Sequence, residues 1–270
     1  MKTVITILMI LWVLLMIEQP KIVKICDIKD ETPNAKTFFF EYMGHYDPGQ
    51  FVMVWIPLND EKPFTLSYIN RNIAGITVLK RGNFTKTLHT KKIGDQIGIR
   101  GPYGRGYSLI KGNAATCIVG GGIGMASIAC LADKQENATI VQGSRTMPEL
   151  LFRHRYKEMR LCTDDGSFGY KGTTVDLLRE LVGKHDYQKI YACGPEKMLY
   201  KVYELCNEHH IECEVSIERY IKCGFGICGQ CDCSGQRICI DGPVFNSKDL
   251  KDMPDFGKTE ITKSGKRISL

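Results

Sequence analysis

Five cysteines crowd into seventeen residues, "CGFGICGQCDCSGQRIC", from Cys223 to Cys239. Thiolates bind soft metals and carry redox chemistry. Four of them follow the pattern Cys223-x4-Cys228-x2-Cys231-x7-Cys239. Structural zinc usually draws on two close knuckles of C-x2-C type. A C-x4-C-x2-C run with a more distant fourth cysteine is the spacing of a plant-type [2Fe–2S] loop. Gly224, Gly226 and Gly229 let backbone wrap a cluster and aim N–H groups at its sulfurs, freedom that zinc does not need. Spacing and glycine content therefore favour iron–sulfur over zinc, with Cys223, Cys228, Cys231 and Cys239 as ligands. Cys233 is surplus, because the ligand positions beside it are filled.

Three glycine-rich turns offer a second chemistry. "GGGIG" (Gly120 to Gly124) stands between an apolar run and a helical one, where backbone approaches a pyrophosphate and a helix N-terminus presents free N–H groups. It is not the full G-x-G-x-x-G fingerprint, since Ser127 lies nearest the third glycine position. Taken alone it serves equally as a tight turn without ligand. "ACGPEKM" (Ala192 to Met198), with Pro195 suited to a first helical turn, and "TDDGSFGYKG" end two further runs in the same way. "GSR" (Gly143 to Arg145) has the residue types for a coenzyme 2′-phosphate or for a solvated loop; NAD and NADP are not separated by it. Earlier in the chain, "KPFTLS" (Lys62 to Ser67) sets a cation, an aromatic ring and hydroxyls within short steps, between strands. "LKRGNFT" (Leu79 to Thr85) and "RGPYGRGY" (Arg100 to Tyr107) follow, with the texture of hairpin turns.

The elements that must position these residues divide the chain. Residues 20–110 hold short β-rich runs punctuated by Pro, Gly, Asn and Asp, the pattern of a small antiparallel barrel. Residues 111–218 alternate apolar strands with helical runs: "ATCIVG", "ATIVQGSR" before "MPELLFRHRY", "MRLCTDDGS" before "TTVDLLRELV", "KIYACGP" before "EKMLYKVYELCNEH", then "IECEVSIE". That alternation predicts βα units and a parallel sheet. Residues 219–245 form the small cysteine domain, and 246–270 a polar tail without a strong pattern. The fold class is thus mixed β and α/β.

Composition sets outer limits. A chain of 270 residues buries a core without disulfides and suits about two domains. Seven of its 12 cysteines (Cys26, Cys117, Cys130, Cys162, Cys193, Cys206, Cys213) are scattered among apolar neighbours like buried free thiols. This argues against an extracellular disulfide framework and for a metal or redox site in a reducing compartment, expected to be the cytoplasm. The net charge of +6 is spread over the chain, so no nucleic acid is expected. The N-terminal run "VITILMILWVLLMI" (Val4 to Ile17) is shorter than the roughly 20 residues a spanning helix needs. It carries no cleavage signature, so a simple apolar extension (1–19), or a true start at Met16, is expected rather than a membrane anchor.

Together the barrel with "KPFTLS", the α/β block with "GGGIG" and "YACGP", and the terminal "CGFGICGQC…CIDGPVF" resemble the electron-transfer subunits of the type B dihydroorotate dehydrogenases, in the ferredoxin–NADP reductase superfamily. The resemblance covers roughly residues 20–245, and its most specific part is the spaced cysteines running into Asp-Gly-Pro-Val-Phe. It implies FAD touching Lys62, Pro63, Phe64 and Thr65, lined by Leu79, Lys80 and Arg81, with Gly82 and Thr85 near its pyrophosphate. It implies NAD at Gly120, Gly121, Gly122, Gly124, Cys193, Gly194 and Pro195, and a [2Fe–2S] cluster on Cys223, Cys228, Cys231 and Cys239. Lys62 departs from the superfamily's usual arginine and lacks its bidentate fork.

The resemblance further implies an FMN-bearing catalytic subunit as partner, two of each in a heterotetramer. Electrons from dihydroorotate would pass through the cluster and FAD to NAD in pyrimidine biosynthesis. The chain then dehydrogenates no substrate alone and needs no general acid or base. A subunit of the same build serving a hydrogenase, a sulfide dehydrogenase or a ferredoxin:NADP oxidoreductase is the alternative. A zinc-stabilised binding module is the remote one.

Overall fold

The computed structural model describes residues 19–270; the apolar run at 4–17 lies outside the described residues. Seven antiparallel strands come first: β1 (Lys21–Thr32), β2 (Ala35–Glu41), β3 (Phe51–Ile56), β4 (Asp60–Thr65), β5 (Tyr68–Asn70), β6 (Ile73–Leu79) and β7 (Gln96–Tyr103), in the spatial order β4-β3-β7-β1-β2-β6-β5. The sheet curls so that β4 also packs on β6. A short helix, α1 (Asn83–His89), plugs the curl with Phe84 and Leu88. The "KPFTLS" segment is not a connection between strands: Lys62 to Thr65 lie within β4, paired residue by residue with β3.

The sequence of β3, "FVMVWI", is buried at every position but Trp55. Alternation explains this. Val52, Val54 and Ile56 enter the barrel core, whereas Phe51 and Met53 point the other way, into the core that also holds Cys231, Cys233 and Cys239. One strand therefore serves two hydrophobic cores.

The second sheet contains β8 (Thr116–Gly121), β9 (Ala138–Ser144), β10 (Arg160–Thr163), β11 (Tyr170–Lys171), β12 (Lys189–Cys193) and β13 (Glu212–Ser216), all parallel, in the order β11-β10-β9-β8-β12-β13. Helices α2 (Gly124–Lys134), α3 (Thr174–Val182) and α4 (Glu196–Glu208) connect them. The small pair β14 (Asp232–Cys233) and β15 (Gln236–Arg237) lies within the cysteine segment. β16 (Val244–Asn246) then joins β13 antiparallel and completes the sheet at seven strands. The boundary drawn at 245/246 thus falls inside a strand. The segment read as a patternless tail folds as α5 (Ser247–Lys251) and the hairpin β17 (Thr259–Ile261) and β18 (Arg267–Ser269).

Two further expectations change. "MPELLFRHRY" forms only a single 3₁₀ turn at Met147–Glu149 rather than a helix. Leu150 to Phe152 are drawn inward, Phe152 takes a left-handed φ of 54°, and the Arg155 guanidinium stacks 3.7 Å from the Tyr68 ring centroid. Tertiary burial overrides the local helical texture here. Cys26 is exposed on β1, unlike the six other scattered cysteines, which are buried.

A buried lysine seals the junction between the two units. Lys189 Nζ on β12 donates to Ser108 Oγ (2.7 Å) in the linker, and to Glu214 Oε1 (2.9 Å) and Glu212 Oε1 (3.2 Å) on β13. Removing the cation strands a carboxylate away from water. Lys189→Met is expected to cost about 3–5 kcal/mol, measured in denaturant unfolding. Adding Glu214→Leu should restore part of the loss, since the orphaned charge then goes too.

Candidate functional site

The four spaced cysteines lie in a loop packed on the outer face of the barrel. A Cβ built on Gly224 would meet Met53 Cγ at 3.2 Å, which shows how closely the loop backbone rides on β3. Gly224, Gly226 and Gly229 have φ of 87°, 84° and 67°, the left-handed turns that wrap the loop. The thiols are arrayed as two interacting pairs, Cys223 with Cys228 and Cys231 with Cys239, and Cys239 also lies within electrostatic reach of Cys223. Two thiol pairs in one loop can give each of two metal atoms two thiolates, so the donor set and its C-x4-C-x2-C spacing fit a [2Fe–2S] cluster.

The thiol environments differ. Burial pushes Cys223 up, but N–H groups of Cys228, Phe225 and Ile227 and the Cys228 thiol outweigh it and bring its pKa to about 6. Burial and the adjacent Cys231 push Cys239 up to about 12. Cys233 is turned to a different partner: Arg219 Nη2 donates to its sulfur at 3.1 Å. Arg219 is held in turn by the Glu196 carboxylate at the start of α4, and it also donates to the Thr259 carbonyl at 3.1 Å. The surplus cysteine therefore belongs to a structural link.

A cleft of about 450 Å³ opens beside this loop. Its barrel side carries Lys62, Pro63, Phe64, Arg81 and Thr85, all expected at FAD; its other side carries Glu218 to Ile221, with Glu260 and Leu270 of the C-terminal hairpin. Lys62 Nζ pairs with Asp60 and lies 5.6 Å from the Tyr220 ring centroid. The Thr85 hydroxyl accepts the N–H groups of Arg81 and Gly82, both at 2.9 Å, and so shapes the turn into α1. Beside Gly82 a Cβ would touch nothing within 4 Å, leaving room for a ligand against the backbone. These residues suit a flavin nucleotide: an apolar ring face at Phe64, cations at Lys62 and Arg81, and a bare glycine turn.

A second cleft, about 800 Å³, separates the barrel from the ends of β8, β9 and β12. Gly121, Gly122 and Pro195 line it, as do Leu79, Lys80 and Arg81 from the barrel. Arg81 lines both clefts. Gly122 has φ of 54° and open space beyond its Cα, a cradle in which any side chain would intrude. The remaining expected nucleotide residues pack behind this wall. A Cβ on Gly194 would meet Gly121 Cα at 3.0 Å, and one on Gly124 would meet the Cys193 carbonyl carbon at 2.6 Å. Gly120 is shut in by Met125 in the same way. Gly194 and Gly124 thereby let two strand-to-helix turns touch, and Gly120 lets β8 close on α2. Cys193 is buried there and its thiol is pushed up to about 12 by that burial.

Sequence reasoning missed the residues that join these parts. Arg100 on β7 sends Nε and Nη2 to the two Glu61 carboxylate oxygens at 2.7 and 2.6 Å, and Nη2 also to the Cys223 carbonyl at 2.8 Å. The only signal was its place at the head of "RGPYGRGY". The Arg219–Glu196 pair and the cleft wall at Glu218 to Ile221 had no local signature.

Fold and site together define an electron-transfer reductase: a flavin-type barrel, a nucleotide-binding α/β unit and an iron–sulfur loop at their junction. The iron–sulfur cluster binding domain of dihydroorotate dehydrogenase B matches residues 218–251. The probable electron transfer subunit of dihydroorotate dehydrogenase B (NAD(+)) from Methanocaldococcus jannaschii is 43% identical over 260 residues, covering 93% of this chain and 99% of that protein. Its counterpart from Thermoplasma acidophilum is 41% identical over 245 residues, covering 90% and 96%. Among solved structures, the NADH-dependent reduced ferredoxin-NADP oxidoreductase matches with a TM-score of 0.76 and 25% identity over 87% of this chain and 92% of that one. Phthalate dioxygenase reductase, with a TM-score of 0.58 and 16% identity over 70% and 64%, shares the fold. The chain belongs to the family of dihydroorotate dehydrogenase B electron transfer subunits.

Serine in place of Cys223, Cys228, Cys231 or Cys239 is expected to abolish or cripple cluster loading, read as iron and sulfide content of anaerobically purified protein. Cys233→Ser should retain the full content.

Proposed function

We infer that this chain carries electrons for dihydroorotate oxidation, between a catalytic subunit and NAD. The observation that carries the reading is the convergence, at one junction, of the paired thiols and two clefts sharing Arg81. Bound FAD would supply the means of exchanging single electrons with the cluster and a hydride with the nicotinamide. The protein's own work is placement. Cys223, Cys228, Cys231 and Cys239 would hold the cluster against β3. Lys62 to Thr65, with Arg81, Gly82 and Thr85, would hold the flavin between barrel and loop. Gly121, Gly122 and Pro195 would receive the dinucleotide, and the glycines behind them would let its backbone cradle form.

The relatives are named as subunits, which supports a catalytic partner; we propose that this partner bears FMN and assembles as two copies of each chain. The scattered cysteines outside the loop, as free thiols, suit a reducing cytoplasm. Among the described residues no helix is long and apolar enough to cross a membrane.

The same reading favours NAD over NADP. At the end of β9 the Arg145 guanidinium is occupied by Glu149, with Nη2–Oε1 at 2.5 Å and Nε–Oε2 at 3.2 Å. The Ser144 hydroxyl donates to the Thr146 carbonyl at 2.7 Å. Both 2′-phosphate partners suggested by the sequence are thus engaged, and Glu149 adds a carboxylate that repels a phosphate and can accept from a ribose hydroxyl. Glu149→Gln is expected to improve kcat/KM for NADPH relative to NADH by about tenfold, measured with an artificial electron acceptor.

The decisive assay co-expresses the chain with its catalytic subunit and follows dihydroorotate-dependent NAD reduction. Activity is expected with the pair and absent from either alone. Cys231→Ser should lose this coupled activity yet keep NADH oxidation by an artificial acceptor through the flavin. No coupled activity in the wild-type complex refutes the assignment of substrate.

A further inference from the structure

Arg100 occupies a position that the electron route above does not use. It stands on β7, 8% exposed, with its guanidinium between the barrel and the cysteine loop. One side meets the Glu61 carboxylate through two hydrogen bonds; Nη2 also reaches the Cys223 carbonyl, and Nη1 donates to the Tyr103 hydroxyl at 3.0 Å. The rings of Tyr103 and Phe225 flank it at 5.4 and 5.5 Å. A Cβ on Gly224 would lie 3.5 Å from Nη1, so the loop passes directly over the cation.

A fixed charge in this setting acts on any redox group beside it. Adding one electron to an iron–sulfur cluster adds one negative charge, which a nearby cation stabilises and a nearby anion opposes. Poor solvent access strengthens both effects. The guanidinium lies between Glu61 and the loop, so the positive end of the ion pair faces Cys223. Glu61 immediately precedes Lys62, so the same pair also ties the proposed flavin strand to the proposed cluster.

We propose that Arg100 is a positioning residue whose charge raises the reduction potential of a cluster on Cys223, Cys228, Cys231 and Cys239, with Glu61 as its counterweight. The proposal rests on the reading of those thiols as [2Fe–2S] ligands. A guanidinium cannot shed its proton, so it remains a cation throughout the working pH range.

The test is the cluster's midpoint potential, titrated by electron paramagnetic resonance on the full chain in complex with its catalytic subunit. Arg100→Gln is expected to shift the potential negative, and Glu61→Gln to shift it positive. Arg100→Lys, which keeps charge but not the bidentate fork, should move it less than half as far as Arg100→Gln. A purely structural pin predicts otherwise: lower cluster content in every variant, with no opposition in sign between Arg100→Gln and Glu61→Gln. That result overturns the proposal. Should Arg100→Gln fail to accumulate, Glu61→Gln decides the matter, since its potential must rise. Absence of any paramagnetic signal from the reduced wild-type complex would instead remove the cluster reading itself.

Discussion

A strand buried on both faces is the constraint to which the rest of the molecule answers. β3 gives Val52, Val54 and Ile56 to the barrel and Phe51 and Met53 to the second core. Each of these side chains is withdrawn from water, worth about 1.5–3 kcal/mol apiece for a large apolar group. The cysteine loop therefore does not hang from the barrel on a linker. It shares a hydrophobic interior with it. Electron exchange between separately held cofactors needs a fixed separation, and a common core supplies one where a flexible tether cannot.

Polar groups then fix the register that apolar packing leaves loose. Hydrophobic contact is non-directional; bidentate pairing is not. Arg100 meets Glu61 and the Cys223 carbonyl, and Arg219 meets Glu196, Cys233 and Thr259. Each guanidinium joins segments far apart in the chain, and each lies close to a cleft or a ligand loop. Buried ion pairs are costly to desolvate and add little net stability, so orientation is the better account of their presence here. Lys189 repeats the device at the linker, where Ser108, Glu212 and Glu214 converge on one ammonium.

What the sequence showed follows from the range over which each signal acts. Cysteine spacing and its glycines are local signals, readable without any fold, and the structure turns that one loop at Gly224, Gly226 and Gly229. The parallel strands announced themselves as apolar runs, and "GGGIG" and "ACGP" as turns between strand and helix. Long-range partners were silent. Nothing near Glu61 indicates that Arg100, 39 residues on, will bind it. "MPELLFRHRY" looked helical until Leu150, Leu151 and Phe152 were claimed by neighbouring cores. The chain after Asn246 looked patternless because its hairpin is stabilised by contacts made elsewhere, such as the Gly257 N–H on the Glu196 carboxylate at 2.8 Å.

That hairpin changes how the flavin-type cleft is understood. Glu260 and Leu270 form part of the cleft wall opposite Lys62 and Phe64. Arg267 binds Asp255 at 2.5 Å, and Ser234 N–H reaches the same carboxylate at 3.1 Å, which fastens the hairpin to the cysteine segment. Glu196, which opens the helix after the nucleotide-type turn, accepts from both Arg219 and Gly257. One carboxylate thus connects the α/β unit, the cysteine segment and the C-terminal arm. A change in any one of the three must be felt at the same cleft wall. The last residues of the chain are consequently part of the site's architecture, and the cleft is built by four segments rather than by barrel and loop alone.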